Sequence, residues 1–230
     1  MHNINVTKRD GKAEPFDVNK IHKVLEWATE GINGVSISEI ELKANIQIND
    51  AMKTDDIHEL LIKSSAELIS EQTPNYQYVA ARLVNYKLRK QVYGEYEPWS
   101  LLTVTTQNVM KGVYDGQVLT EYTEQEFDNL DRHIKHDRDN EFTYVGMEQF
   151  RGKYLVQDRL SKVPYETPQV LYMLIAMNLF MQYPKENRMR YVKEYYDAIS
   201  QFYISLPTPI IATFFIKSIL IALYVRIVRY

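Results

Sequence analysis

No cysteine occurs among the 230 residues, and that absence excludes disulfide frameworks, thiolate metal sites and thiol nucleophiles. An excess of charge of one sign is missing too. Lys plus Arg number 27 against 30 Asp plus Glu, and the net charge of −3 gives no general pull toward nucleic acid or an acidic membrane. No nucleic-acid partner is expected, and any anion site must be local. Met1-His2-Asn3-Ile4-Asn5 runs into Lys8-Arg9-Asp10 with neither an apolar core nor a small-residue cleavage site. No secretory signal is therefore read, and cytoplasmic residence is the default expectation. Only residues 213–230 look membrane-like, and there Lys217, Arg226 and Arg229 interrupt a run shorter than the ~20 residues that a span requires. Membrane insertion is disfavoured. The rest is ordinary: 45% hydrophobic residues support a packed core in one large or two modest domains.

The pattern is mainly α. Ile4 to Thr7 and Ala13 to Phe16 are short extended stretches flanking Asp10-Gly11, a pair suited to the positive φ angles of a tight hairpin. Asp17 can cap a helix whose Ile21, Val24, Leu25 and Ala28 make one apolar face, stopped by Gly31 and Gly34. Ser38 with Glu41 suggests a capping box for a second helix carrying Leu42 and Ile46. Thr54 is the expected cap of a third, with Ile57, Leu61, Ser64 and Leu68 on one face. After Pro74, residues 75–93 read as a fourth helix with Val79, Leu83 and Tyr86 aligned and cations at its C-terminal end, and Gly94 and Pro98 mark a boundary. Beyond it the pattern stays mostly helical to about Tyr144. Lys153-Tyr-Leu-Val156 looks like a short strand, Gln169 to Tyr183 an apolar buried helix, and Asn187 to Phe202 a last helix before Ile204-Ser-Leu-Pro-Thr-Pro-Ile210.

The densest chemical signal is Val6-Thr-Lys-Arg-Asp-Gly11 followed by Glu14-Pro-Phe-Asp-Val-Asn-Lys20. A cationic pair, a tight turn and a helix N-terminus fall together there. Helix-start N–H groups, ammonium and guanidinium complement a triphosphate, while a carboxylate such as Glu14 can accept from an adenine amino group. On spacing alone a solvated hairpin is the commoner outcome, because surface Lys and Arg are commonplace. Neither GxxxxGK[ST] nor GxGxxG occurs, so nucleotide binding needs another mode. His58 lies one turn after Thr54 and the two can meet a ligand together, although a lone helix-face histidine is more often structural. His133 and His136 with Asp137 and Asp139 admit a metal reading, but amid Lys135 and Arg138 a hydrated charged surface is preferred and no metal site is assigned. The 18 tyrosines, Tyr76, Tyr78, Tyr195 and Tyr196 among them, are read as half-buried aromatics of amphipathic helices rather than as radical carriers.

Val6-Thr-Lys-Arg-Asp-Gly11, Phe16-Asp-Val-Asn-Lys-Ile21, Thr54-Asp-Asp-Ile-His58 and Tyr76-Gln-Tyr-Val-Ala-Ala-Arg82 resemble, in order and spacing, the ATP-cone of ribonucleotide reductase. Tyr93-Gly-Glu-Tyr-Glu-Pro98, His136-Asp-Arg-Asp139, Lys153-Tyr-Leu-Val156 and Ser205-Leu-Pro-Thr-Pro209 resemble the continuing class I large subunit, so the likeness runs from residue 4 to about 212. It implies a β-hairpin plus four-helix cone over 4–94, then a helical region over 95–212 leading to the first edge of an incomplete α/β barrel. The family's cone binds ATP as activator and dATP as inhibitor, with Mg accompanying the nucleotide. By motif match Lys8 and Arg9 take the phosphate-binding positions. Glu14 and Asp17 face the adenine within the wrapping segment Glu14, Pro15, Phe16, Asp17, Val18, Asn19 and Lys20. Thr54 and His58 lie on the ribose and phosphate side, Lys90 closes on phosphate, and Thr208 holds the substrate diphosphate at the barrel edge.

The likeness stops after Ile211-Ala212. In place of a basic loop and the first redox cysteine stands Thr213-Phe-Phe-Ile-Lys-Ser-Ile-Leu-Ile-Ala-Leu223, a non-family apolar tail reaching Tyr230. No residue here can serve as a catalytic thiol. The expectation is the N-terminal part of a ribonucleoside-diphosphate reductase large subunit, not catalytic alone. A second polypeptide would supply barrel and cysteines and receive the tail, and a radical-generating small subunit would complete the complex. The alternative is a free-standing dATP/ATP-sensing module or decoy without enzyme activity.

Overall fold

The computed structural model describes residues 4–8, 11–158 and 160–206. Contacts divide the chain into two units, one of residues 1–87 with 140–148, the other of residues 88–139 with 149–230.

The first unit begins with β1 (Asn5–Thr7) and β2 (Ala13–Pro15), antiparallel with Val6 opposite Glu14. Gly11 closes their turn at φ 82° by donating its N–H to the Lys8 carbonyl, a conformation that a Cβ would oppose. The expected hairpin is present, and it is part of a larger sheet. A two-residue β3 (Met52–Lys53) pairs parallel to β1, placing Thr7 beside Lys53 in a sheet of order β2-β1-β3. Ala51 turns the chain into β3 at φ 61°, held by its N–H on the Asn5 carbonyl and its own carbonyl on the Thr7 hydroxyl. An alanine at positive φ is uncommon and persists only where its surroundings fix it.

Around this sheet stand α1 (Val18–Thr29), α2 (Ile37–Asn45), α3 (Thr54–Ala66) and α4 (Tyr76–Tyr93), the last running on into the second unit. Asp17 caps α1 by accepting from the Asn19 N–H, and Ile21, Leu25 and Ala28 are its buried face. Two expected caps are corrected. Ser36, not Ser38, caps α2, accepting from the Glu39 N–H; its buried residues are Ile40 and Ala44, and Leu42 and Ile46 are exposed. Thr54 is the first helical residue of α3, Lys53 occupies the cap position, and no side chain caps that end. Buried Ile57, Leu61, Val79 and Leu83 join Leu25, Ala28 and Ile40 in the core.

In the second unit Gly94, at φ 79°, ends α4 as a left-handed residue past a helix does. The chain continues through α5 (Leu101–Met110), α6 (Gln117–Glu121) and α7 (Glu124–Asp131), the last closed by a reciprocal capping box of Thr123 and Glu126. A 3-10 helix (His136–Glu141) follows, and from residue 140 to 148, through most of α8 (Tyr144–Gln149), the chain belongs to the first unit before it returns to the second. The strand expected over Lys153–Val156 does not form. Phe150–Tyr154 is a π-helical turn with the Phe150 ring edge-on to Tyr154 and Tyr172, and only an isolated bridge, Gln157 to Pro164, follows it. α9 (Pro168–Phe180) starts with proline at its first position and is buried from Pro168 through Met177. A helix apolar all round has no solvent face to offer. It packs against α10 (Lys185–Ser200). No helix among the described residues is long and apolar enough to cross a membrane. The expected barrel edge from Pro207 onward and the tail 213–230 lie outside the described residues.

The His133–Asp139 stretch is only in part the hydrated surface its charges suggest: Lys135 and Asp137 are exposed, but the rest is engaged in the fold. Asp139 is fully buried, 3.5 Å from the Arg89 guanidinium and accepting from the Gln169 amide at 3.0 Å. His133 and Arg138 both hold Asp197, at 2.9 and 2.7 Å. Tyr76 and Tyr196, expected half-buried, are enclosed, whereas Tyr78 and Tyr195 are partly exposed as expected.

Candidate functional site

Parallel pairing of β1 with β3 has a positional consequence. Lys8, one residue past β1, and Thr54, one residue past β3, leave the sheet at the same end, where α3 begins with no side-chain cap. Uncapped N–H groups at a helix start attract anions, although Asp55 and Asp56 in the first turn oppose that attraction.

The hairpin adds Glu14 from β2. Its Oε2 lies 3.1 Å from the Lys8 ammonium and its Oε1 2.9 Å from that of Lys20, so each carboxylate oxygen holds a different lysine. The bonds from Lys20 and then Lys8 hold the Glu14 carboxyl below its ordinary value, and Glu14 in turn raises Lys20. The segment from Pro15 to Lys20 is mostly exposed. Two features at the α1 start differ from an open anion cradle: the Asp17 carboxylate accepts from the Asn19 N–H, and the Lys20 N–H donates to the Asp17 carbonyl at 3.1 Å. Those groups are already engaged.

His58 stands one turn into α3. Its Nε2 is 2.8 Å from the Leu83 carbonyl on α4, an acceptor only, which fixes the proton on Nε2. The ring stacks on Tyr86 at 5.4 Å and 10°, and Tyr86 meets Trp27 of α1 at 5.5 Å. Sequence reasoning missed this aromatic stack and Lys87. The Lys87 ammonium is 2.7 Å from Glu59 and 3.2 Å from the Asp55 carbonyl, tying α4 to the first turn of α3 beside His58. Lys90 lies in the last turns of α4, within the second unit. Arg9 and Thr208 lie outside the described residues. Among the described residues no group of His, Cys, Asp and Glu is arranged to hold a metal ion. Burial together with Arg89 pushes His136 down to about 4, and that histidine stays neutral.

An ATP cone domain matches residues 4–91, and a ribonucleotide reductase all-alpha domain matches residues 140–214. Ribonucleoside-diphosphate reductase 1 subunit alpha of Escherichia coli is 51% identical over 210 residues, 91% of this chain and 28% of that protein. The ribonucleoside-diphosphate reductase alpha subunit of Haemophilus influenzae is 48% identical over 90% of this chain and 27% of its own length. The alpha subunit of Enterobacteria phage T4 is 46% identical over 92% of this chain and 28% of its own length. The chain thus spans about a quarter of the length of the curated relatives it matches.

Proposed function

Because the chain belongs to the ribonucleotide reductase large-subunit family, carrying its ATP cone and an all-alpha domain, we propose that residues 4–94 bind ATP and dATP to set the activity of a ribonucleoside-diphosphate reductase. The observation that supports this most is the Lys8–Glu14–Lys20 bridge between the hairpin and the start of α1, with Lys8 and Thr54 leaving neighbouring parallel strands at one end of the sheet. Lys8 and Arg9 take the phosphates, Glu14 and Asp17 face the adenine within the wrapping segment 14–20, Thr54 and His58 meet ribose and phosphate, and Lys90 closes on the phosphate chain. Mg accompanies the nucleotide as counter-charge. Residues 95–212 form the helical region that leads to the barrel, with Thr208 on the substrate diphosphate. The barrel and its cysteines belong to polypeptide outside these 230 residues; a second chain would supply them and receive the tail 213–230, and the radical-generating small subunit completes the complex. The total lack of cysteine also favours a second reading, a module that senses ATP and dATP without reducing anything.

The test is calorimetric titration of ATP and dATP into the chain and its Lys90→Ala variant. Loss of a charge-assisted phosphate contact should weaken binding by about 1.5–3 kcal/mol. Equal affinity of parent and variant would reject Lys90 as a ligand.

A further inference from the structure

We propose that Glu14 is an internal competitor for the phosphate cation, and that a polyphosphate enters the cone by taking Lys8 from it. The inference rests on the assignment of this site to a nucleotide and specifies how the site selects its anion. Glu14 bridges two ammonium groups through separate oxygens, Oε2 to Lys8 at 3.1 Å and Oε1 to Lys20 at 2.9 Å. The two bonds differ in how their lysines are placed. Lys20 belongs to the first turn of α1, whose start Asp17 fixes, and Asp17 also adds to the field that favours its charge. Lys8 projects from the turn at the end of β1, with its backbone N–H tied to the Lys12 carbonyl at 2.8 Å. Its backbone leaves the sheet at the end shared with Thr54 and the uncapped start of α3.

An anion arriving there meets a lysine that is already neutralised. To displace Glu14 it must bring Lys8 more negative charge than one carboxylate does or make further contacts elsewhere, and a chain of phosphates offers more of both than a single phosphate. Once Lys8 turns to the phosphate, Glu14 remains anchored on Lys20, and its Oε2 becomes available to a donor on the rest of the ligand. Glu14 thereby discriminates by phosphate-chain length. Removing its charge should loosen that discrimination.

The experiment titrates inorganic tripolyphosphate, orthophosphate and ATP into the full chain, Glu14→Gln, Lys8→Gln and the double variant. Exposed ion pairs are weak, so Glu14→Gln should tighten tripolyphosphate by about two- to fivefold and orthophosphate by a larger factor, and a gain for tripolyphosphate alone would overturn the selection by chain length. In the Lys8→Gln background the same change should leave tripolyphosphate affinity unaltered, because the competition runs through Lys8 alone. An equal gain in both backgrounds would mean a diffuse charge effect and would overturn the proposal, as would no gain in either. Binding of ATP by the parent with no Glu14 effect on tripolyphosphate keeps the nucleotide site and removes the competitor. Failure of the parent to bind both ATP and tripolyphosphate removes the site itself.

Discussion

An Arg188→Ala chain is expected to lose about 3–5 kcal/mol of stability in its second unit, read as a lowered midpoint of urea unfolding. Arg188 is 1% exposed although it sits on a charged helix. Its guanidinium donates to both oxygens of Glu126 at 2.7 Å and to the Glu121 carbonyl at 2.7 Å, and lies 4.2 Å from the centre of the Tyr122 ring. It thus ties α10 to the capping box that starts α7. Truncation strands the partly buried Glu126 carboxylate and opens a void under Tyr122. The paired change Arg188→Met with Glu126→Gln keeps the volume, leaves no unpaired charge and should recover much of the loss. A cost below about 1 kcal/mol for Arg188→Ala, the range of exposed pairs, would contradict this account.

Glu166 should make the chain less stable as pH rises. Its carboxyl is fully enclosed, accepts from the Tyr114 hydroxyl and from the Val156 N–H at 2.9 Å, and has no cation beside it among the described ion pairs. Burial pushes it from 4.5 up to about 7, against those two hydrogen bonds. Because the folded value is raised, the contribution is fully present below 4.5 and is lost as pH climbs through 7, while the unfolded chain has already ionised. That displacement corresponds to roughly 3 kcal/mol. Two other buried groups titrate nearby. Burial raises Asp139 to about 6, acting in the same sense, and His136, lowered to about 4, acts in the opposite sense by losing stability as pH falls below 6.5. Comparison with Glu166→Gln cancels both. Between pH 4.5 and 8 the parent should lose roughly 3 kcal/mol relative to that variant, and parallel pH profiles would show that Glu166 is ionised throughout.

What the sequence reveals and what it hides divide along a physical line. α1 and α9 are legible because period and cap reside within the element: Ile21, Leu25 and Ala28 recur on one face behind Asp17, and residues 170–177 are too apolar for any solvent face. α2 is not, because Ser36 with Glu39 and Ser38 with Glu41 satisfy the same capping pattern. The choice is made by Tyr76, distant in sequence, whose hydroxyl accepts from the Ser36 N–H at 2.9 Å and donates to Glu39 at 2.6 Å. β3 is two residues long and owes its existence to Ala51 and β1, which no local periodicity records. At Lys153–Val156 an extended-looking run becomes a π-helical turn and loop because Phe150 packs on Tyr172 and Glu166 takes the Val156 N–H.

The candidate site divides the same way. Lys8, Glu14, Lys20, Thr54 and His58 stand out as residue types around a turn and two helix starts. Lys87 does not, because a lysine in the C-terminal half of a helix already suits the dipole. Its bond to Glu59 and the Tyr86 ring under His58 are tertiary facts.

Amide hydrogen exchange with and without saturating ATP reports whether the hairpin, the start of α1 and the first turn of α3 together form the nucleotide site. Exchange should slow over residues 4–20 and 52–58, with α9 and α10 unchanged. Unaltered exchange in those two stretches at saturation, or protection confined to residues 95–206, would contradict it.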